Sequence, residues 1–88
     1  MVRDMKLELF YNPTCPVCPM ARKMVKKVLK KFPDVEYVEL NAFENQDRVI
    51  ALGFEKVPAI VIDGELWRSG MPDKKALVME IKRHIDKE

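Results

Sequence analysis

The sequence predicts an α/β fold of order β-α-β-α-β-β-α, a four-stranded mixed sheet with three helices on its two faces. Three observations predict it. Apolar residues recur at helical spacing from Pro16 to Phe32, between two runs that alternate like strands. Asp63-Gly64 separates two β-rich runs and marks a two-residue hairpin turn. Pro72-Asp73 opens a last amphipathic stretch, with proline at a position where its missing N–H costs nothing.

Each element follows in order. "KLELFY" (6–11) reads as a strand with Leu7, Leu9 and Tyr11 on one face, and Asn12, Pro13 and Thr14 break it. Val17, Met20, Ala21, Met24, Val25, Val28, Leu29 and Phe32 form the expected buried stripe of the first helix, and Pro33-Asp34 ends it. "VEYVEL" (35–40) alternates as a second strand. Residues 44–52 read as a short helix with Gly53 at its C-terminal cap. "VPAIVIDGELWRS" holds the hairpin strands, and Leu77, Val78, Ile81 and Ile85 are the expected buried stripe of the last helix. A helix joins the first two strands, so they are expected to be parallel with a right-handed crossover.

The 88 residues are read as one domain, 1–88. Hydrophobic content of 48% and charged content of 34% suit a globular chain rather than a disordered one. Sixteen basic residues against 14 acidic ones leave a net +2, which is no footprint for nucleic acid. No apolar run approaches a membrane span. Arg3, Asp4, Lys6 and Glu8 interrupt any secretory core, so a cytoplasmic protein is expected, and a monomer.

The only cysteines, Cys15 and Cys18, sit three apart in "TCPVCP" at the first strand-to-helix junction. In a reducing compartment such a pair is more often redox-active or metal-binding than a staple. A loop this short also gains little from cross-linking. With Cys15 near the helix cap and Cys18 one turn in, the side chains share a face, about 4.5 Å apart along the axis. That lies within disulfide reach. Free amides and the positive end of the helix dipole favour an anion at Cys15. Pro16 and Pro19 have no N–H, so Val17 and Cys18 are the expected donors. Cys18 points into the helix and is expected to be the buried, resolving partner.

The segment "KVPAI" (56–60) places Pro58 at the start of a strand. A cis Val57–Pro58 bond turns the Val57 backbone outward, where a substrate strand can pair with it. Tyr11 has two readings, one flanking the thiol and one packed at the strand end. Trp67, Met20 and Met24 are read as packing, and His84 as a boundary residue near a helix C-terminus. Arg22, Lys23, Lys26, Lys27, Lys30 and Lys31 form a solvated face or, on a sharper reading, a docking surface for an acidic partner.

Metal binding is the alternative class. Structural zinc takes four ligands, and the chain offers Cys15, Cys18 and the distant His84. One chain does not close that site. A dimer could hold zinc or an iron–sulfur cluster between four thiolates. A copper chaperone with two strands between its helices does not fit the element order.

"LFYNPTCPVC", "GFEKVPAIVIDGE" and "GMPDKKALVMEI", in this order over nearly the whole chain, resemble the thioredoxin–glutaredoxin superfamily, in a form like the small archaeal thioredoxin-like proteins. The resemblance implies a thioredoxin fold and a dithiol–disulfide oxidoreductase acting on disulfide-bearing proteins. It implies Cys15 as nucleophile, Cys18 as resolver and Pro58 as a cis-proline beside Val57. Pro16 and Val17 complete the motif, and the redox group is the Cys15–Cys18 disulfide, with no separate cofactor. The chain departs from the family at Thr14, where thioredoxins carry Trp, and at Leu9, where they place a buried acid. Glutaredoxin features for glutathione are thin: Asn12 stands where a basic residue is usual, Val17 where an aromatic is, and "SGMPD" has one glycine. Lys56 remains as one partner for a glutathione carboxylate. A flavoenzyme of the thioredoxin-reductase type is therefore the expected electron donor, in preference to glutathione.

Overall fold

The first strand, β1 (Met5–Tyr11), lies inside the sheet, with Met5, Leu7, Glu8, Leu9 and Phe10 all buried. The computed structural model describes residues 5–86, and β1 is the first element in it. It is followed by α1 (Cys18–Leu29), β2 (Val35–Asn41), α2 (Gln46–Leu52), β3 (Ala59–Ile62), β4 (Glu65–Ser69) and α3 (Lys74–Asp86). The strands are ordered β2-β1-β3-β4. β1 pairs parallel with β2 and antiparallel with β3, and β3 pairs antiparallel with β4. This is the expected mixed sheet and element order.

The period of two along β1 divides the protein into two cores. Met5, Leu7 and Leu9 face one side, with Ile60 and Ile62 of β3; α1 covers them through Ala21, Val25, Val28 and Leu29, and α3 through Leu77 and Ile81. Phe10 faces the other side with Ala59 and Val61, under Phe54, Val49 and Leu52 from α2 and its end. Phe10 and Phe54 meet at 5.2 Å between ring centroids, tilted by 58°.

Local chemistry sets the boundaries. Asp63 and Gly64 both have positive φ, 50° and 85°, as a type I′ turn requires. Gly53 caps α2 at φ 80°, and its N–H donates to the Val49 carbonyl. The Asp73 carboxylate accepts from the Ala76 N–H at 3.0 Å and starts α3. A 3-10 turn, Ala42–Asn45, precedes α2, begun by the Asn41 side chain accepting from the Phe43 N–H. The expected helix at 44–52 is thus a tight turn followed by α-helix.

Three expectations need correction. The first helix was expected over Pro16–Phe32 but spans Cys18–Leu29. Its stripe consequently begins at Cys18: Val17 is 38% exposed and Met20 62% exposed, so neither fills the core. On α3, Leu77 and Ile81 are buried, but Ile85, in the last turn of the helix, is exposed. Trp67 packs against the core beside α1 and α3, as expected, at a bulge in β4. His84 is a boundary residue, with Nε2 2.9 Å from Glu80 and Nδ1 3.7 Å from Asp63.

One buried charge stands out. Glu8 is 3% exposed on the α2 side of β1. Arg48 of α2 donates to both of its carboxylate oxygens and lays its guanidinium 5.4 Å from the centre of the Phe10 ring. The Arg48 hydrogen bonds hold the Glu8 carboxyl below its ordinary pKa, against the pull of burial. Arg48→Met leaves that carboxylate buried and unpaired, and is expected to cost about 2–4 kcal/mol in urea unfolding at pH 7. Replacing both residues, Glu8→Leu with Arg48→Met, is expected to recover most of the loss. Because the folded-state pKa is depressed, the pair's contribution is fully present above about pH 4.5 and is lost as pH falls through the lowered value. The double variant is expected to lack that acid-labile component in the same titration.

Candidate active site

The turn between β1 and α1 is built by Asn12. Its side-chain oxygen accepts from the Thr14 N–H and the Thr14 hydroxyl, both at 2.8 Å, and its carbonyl accepts from the Cys15 N–H at 3.0 Å. This turn consumes the residues that follow β1, so the helix starts only at Cys18, with Val17 as its cap residue. Pro19 falls in the first turn of the helix, where an N–H has no intrahelical partner to lose.

The two sulfurs are therefore placed unequally. Cys15 precedes the helix and is partly exposed, while Cys18 is 2% exposed on the buried stripe. The Cys18 N–H donates to the Cys15 sulfur at 3.1 Å. Val17 and Cys18 were the two expected donors; among the described residues, the Cys18 amide is the one that meets the sulfur. Burial, and then the hydrogen bond with Cys15, push the Cys18 thiol up to about 11. A backbone hydrogen bond from Asn12 and the charge of Arg22 pull the other way but do not win.

The third component arrives from the start of β3. Val57–Pro58 is cis, as expected. The Cys15 thiol donates to the Val57 carbonyl at 3.7 Å, a long contact of the kind sulfur makes. The Val57 carbonyl was expected to be unpaired; it instead faces the sulfur. Neighbouring backbone is tied down, with Ser69 donating to the Lys56 carbonyl at 2.8 Å and the Gly70 N–H to the Pro58 carbonyl at 2.7 Å. Tyr11 packs against the core at the end of β1 and carries Arg22 over its ring at 4.8 Å. Pro16 and Val17 are exposed between the cysteines.

An open cleft of about 330 Å³ continues from Val57 and Asn12 along Phe43, Val49, Ile50 and Phe54. A second hollow, of about 400 Å³, lies at the opposite end of the sheet against the hairpin turn, Trp67 and His84, away from both thiols. Among the described residues, no three His, Cys, Asp or Glu side chains gather as metal ligands. No described helix is long and apolar enough to cross a membrane.

Two thiols on a strand-to-helix turn, one open and one buried, beside a cis-proline loop on this fold define a dithiol–disulfide oxidoreductase. A thioredoxin-domain family model matches residues 5–82. Over 81 residues the chain is 42% identical to a thioredoxin of Methanocaldococcus jannaschii, covering 91% of this chain and 95% of that one. A protein described as a probable thioredoxin of Archaeoglobus fulgidus is 35% identical over 78 residues, 88% of this chain and 86% of its own. A solved thioredoxin variant from Halobacterium salinarum superposes with a TM-score of 0.78 at 29% identity, over 94% of this chain and 76% of that one. The chain belongs to the thioredoxin family.

Sequence reasoning missed Glu39 and Glu8 as members of buried polar pairs. Their place in alternating strands was a signal for Glu39, which follows Tyr37 on the same face of β2, but its partner on α1 could not be read from spacing.

The geometry predicts a large difference in alkylation. At pH 7, very little Cys18 is thiolate, and thiolate is the reactive form. Iodoacetamide added to the reduced protein is expected to label Cys15 well before Cys18, read by peptide mass mapping. In concentrated urea the preference is expected to collapse, because it comes from burial. Faster labelling of Cys18 in the folded protein refutes the asymmetry.

Proposed function

We propose that Cys15 is the attacking thiol and Cys18 the resolving one in the reduction of protein disulfides. The observation that carries this reading is the Cys18 N–H on the Cys15 sulfur at 3.1 Å, with Cys18 itself buried behind it. The Cys15 thiolate attacks one sulfur of the client disulfide. A mixed disulfide forms, and the first client sulfur leaves as a thiolate and takes a proton from water. Cys18 then loses its proton and attacks the Cys15 sulfur. The second client thiol leaves, the Cys15–Cys18 disulfide remains, and two electrons have passed to the client. Resolution within one motif outpaces rescue by an external thiol because its effective concentration is high.

Val57, Pro58 and Tyr11 are read as the surface that receives the client. Val57 places its backbone next to the attacking sulfur, and an extended client segment adds to it as a short strand. Tyr11 flanks the same strand end, and Pro16 and Val17 keep the space between the sulfurs small and apolar. The redox group on this reading is the cysteine pair itself. A flavoenzyme of the thioredoxin-reductase type regenerates the dithiol in a reducing, cytoplasmic setting. Glutathione is a poor donor, since Asn12 and the single Gly70 offer its carboxylates and backbone little to hold.

Insulin reduction driven by dithiothreitol is expected to fall to the uncatalysed rate in Cys15→Ser. Cys18→Ser is expected to accumulate mixed disulfides through Cys15, visible as covalent adducts on non-reducing gels. Turnover with NADPH and a thioredoxin-reductase-type flavoenzyme is expected to exceed turnover with glutathione and glutathione reductase. Equal turnover from glutathione refutes the donor assignment, and adducts formed through Cys18 refute the assignment of roles.

A further inference from the structure

Arg22 stands one helical turn beyond Cys18 on α1, at the i+4 position that shares its face. It is held from two sides. Its guanidinium donates to the Glu39 carboxylate of β2 at 2.8 Å and lies 4.8 Å from the centre of the Tyr11 ring at the end of β1. Glu39 is in turn held by the Tyr37 hydroxyl at 2.8 Å and approached by Lys26 at 3.7 Å. Burial raises the Glu39 carboxyl, but the hydrogen bonds from Arg22 and Tyr37 outweigh it and keep the group ionised. An exposed arginine of this helix is thus converted into a charge of fixed position.

The second half of the proposed reaction needs such a charge. Cys18 must lose a proton while buried, and Leu9 on the strand beneath offers no group to help. Among the described residues, the titratable or charged groups that act on Cys18 are Cys15 in the turn and Arg22 on α1; the turn adds the Asn12 backbone. On α3 the residues facing this core, Leu77 and Ile81, are apolar. Glu39, Tyr37 and Lys26 gather on the β2 side of the guanidinium.

We propose that Arg22, anchored by Glu39 and Tyr11, is a positioning residue for the resolving step, its charge holding the Cys18 thiolate that attacks the mixed disulfide. The inference rests on the assignment of Cys15 and Cys18 under the proposed function. In the step, the Cys18 proton passes to water, the Cys18 electron pair forms the bond to the Cys15 sulfur, and the client sulfur departs with the pair of the broken bond and is protonated. The positive charge favours the thiolate, so removing it raises the pH needed for attack.

The uncharged disulfide 4,4′-dithiodipyridine separates the two halves. Reduced protein releases one thiopyridone when Cys15 forms the mixed disulfide, and a second when Cys18 resolves it. Arg22→Gln is expected to slow the second release about tenfold near neutral pH and to shift its pH profile upward by about one unit. The first release is expected to stay within about twofold, since Cys15 keeps the Cys18 amide. Arg22→Lys keeps the charge and is expected to restore most of the second rate. A merely structural role for Arg22 predicts slowing without a pH shift, and no rescue by lysine; either result overturns the proposal. If the unsubstituted protein releases one thiopyridone per chain, the dithiol reading itself fails. If it releases two and Arg22→Gln changes neither, only the Arg22 assignment fails.

Discussion

The pairing of Phe10 with Ala59 is the constraint on which the site depends. It sets β1 antiparallel to β3 so that the end of one strand lies beside the start of the other. The cysteine turn leaves from that end of β1, and Val57-Pro58 leads into that start of β3. A shift of the register by one residue exchanges the faces of Ala59–Ile62, and all four side chains are buried. The two apolar cores therefore resist the slip, and the distance from Cys15 to the Val57 carbonyl is a consequence of packing far from the sulfur. The parallel partner β2 does similar service on the other side of β1, where Leu9 lies opposite Glu39.

Desolvation then divides the labour between two chemically identical side chains. Moving a thiol from an ordinary value of 9.0 to about 11 is a penalty of about 3 kcal/mol on ionising Cys18. Cys15, three residues earlier, stays partly exposed because the Asn12 turn holds it outside the helix. The stripe of α1 that buries Cys18 also includes Ala21 and Val25, so the inequality of the sulfurs is paid for by ordinary core packing.

The charged groups near the sheet are arranged in pairs that span elements. Glu8 with Arg48 links β1 to α2, and Glu39 with Arg22 links β2 to α1. Each carboxylate is at least four-fifths buried, so each needs its partner, and each arginine also lies over an aromatic ring from β1. The basic run on α1 is otherwise a solvated face, with Lys23, Lys27, Lys30 and Lys31 exposed. Part of the exposed hydrophobic surface lies near the dithiol, at Val17 and Met20 and in the cleft past Phe43 and Ile50, while Met79 and Ile85 on α3 are exposed elsewhere.

Much of this was legible in the chain. The alternation of "KLELFY", Asp63-Gly64 and Asp73 state their local structure through short-range chemistry and lie where the structure has them, and the helical period after the first strand marks a helix that the structure makes shorter. The cysteine spacing and Val57-Pro58 likewise identified the parts of the site. Helical spacing misled at its start, because Val17 and Met20 continue the apolar period into a segment that the Asn12 side chain had already claimed as a turn. Ile85 misled at the other end, since periodicity does not register where the packing against a helix stops. Glu8 and Glu39 pair with arginines 40 and 17 residues away, and nothing in their local spacing marks those partners. By itself the sequence determined the elements, the order in which they run and the two sulfurs, all of which depend on contacts within a few residues. Tertiary structure alone decided that the Val57 carbonyl faces the Cys15 sulfur and which charges are paired. Those depend on strand register and helix packing between segments that the chain keeps far apart.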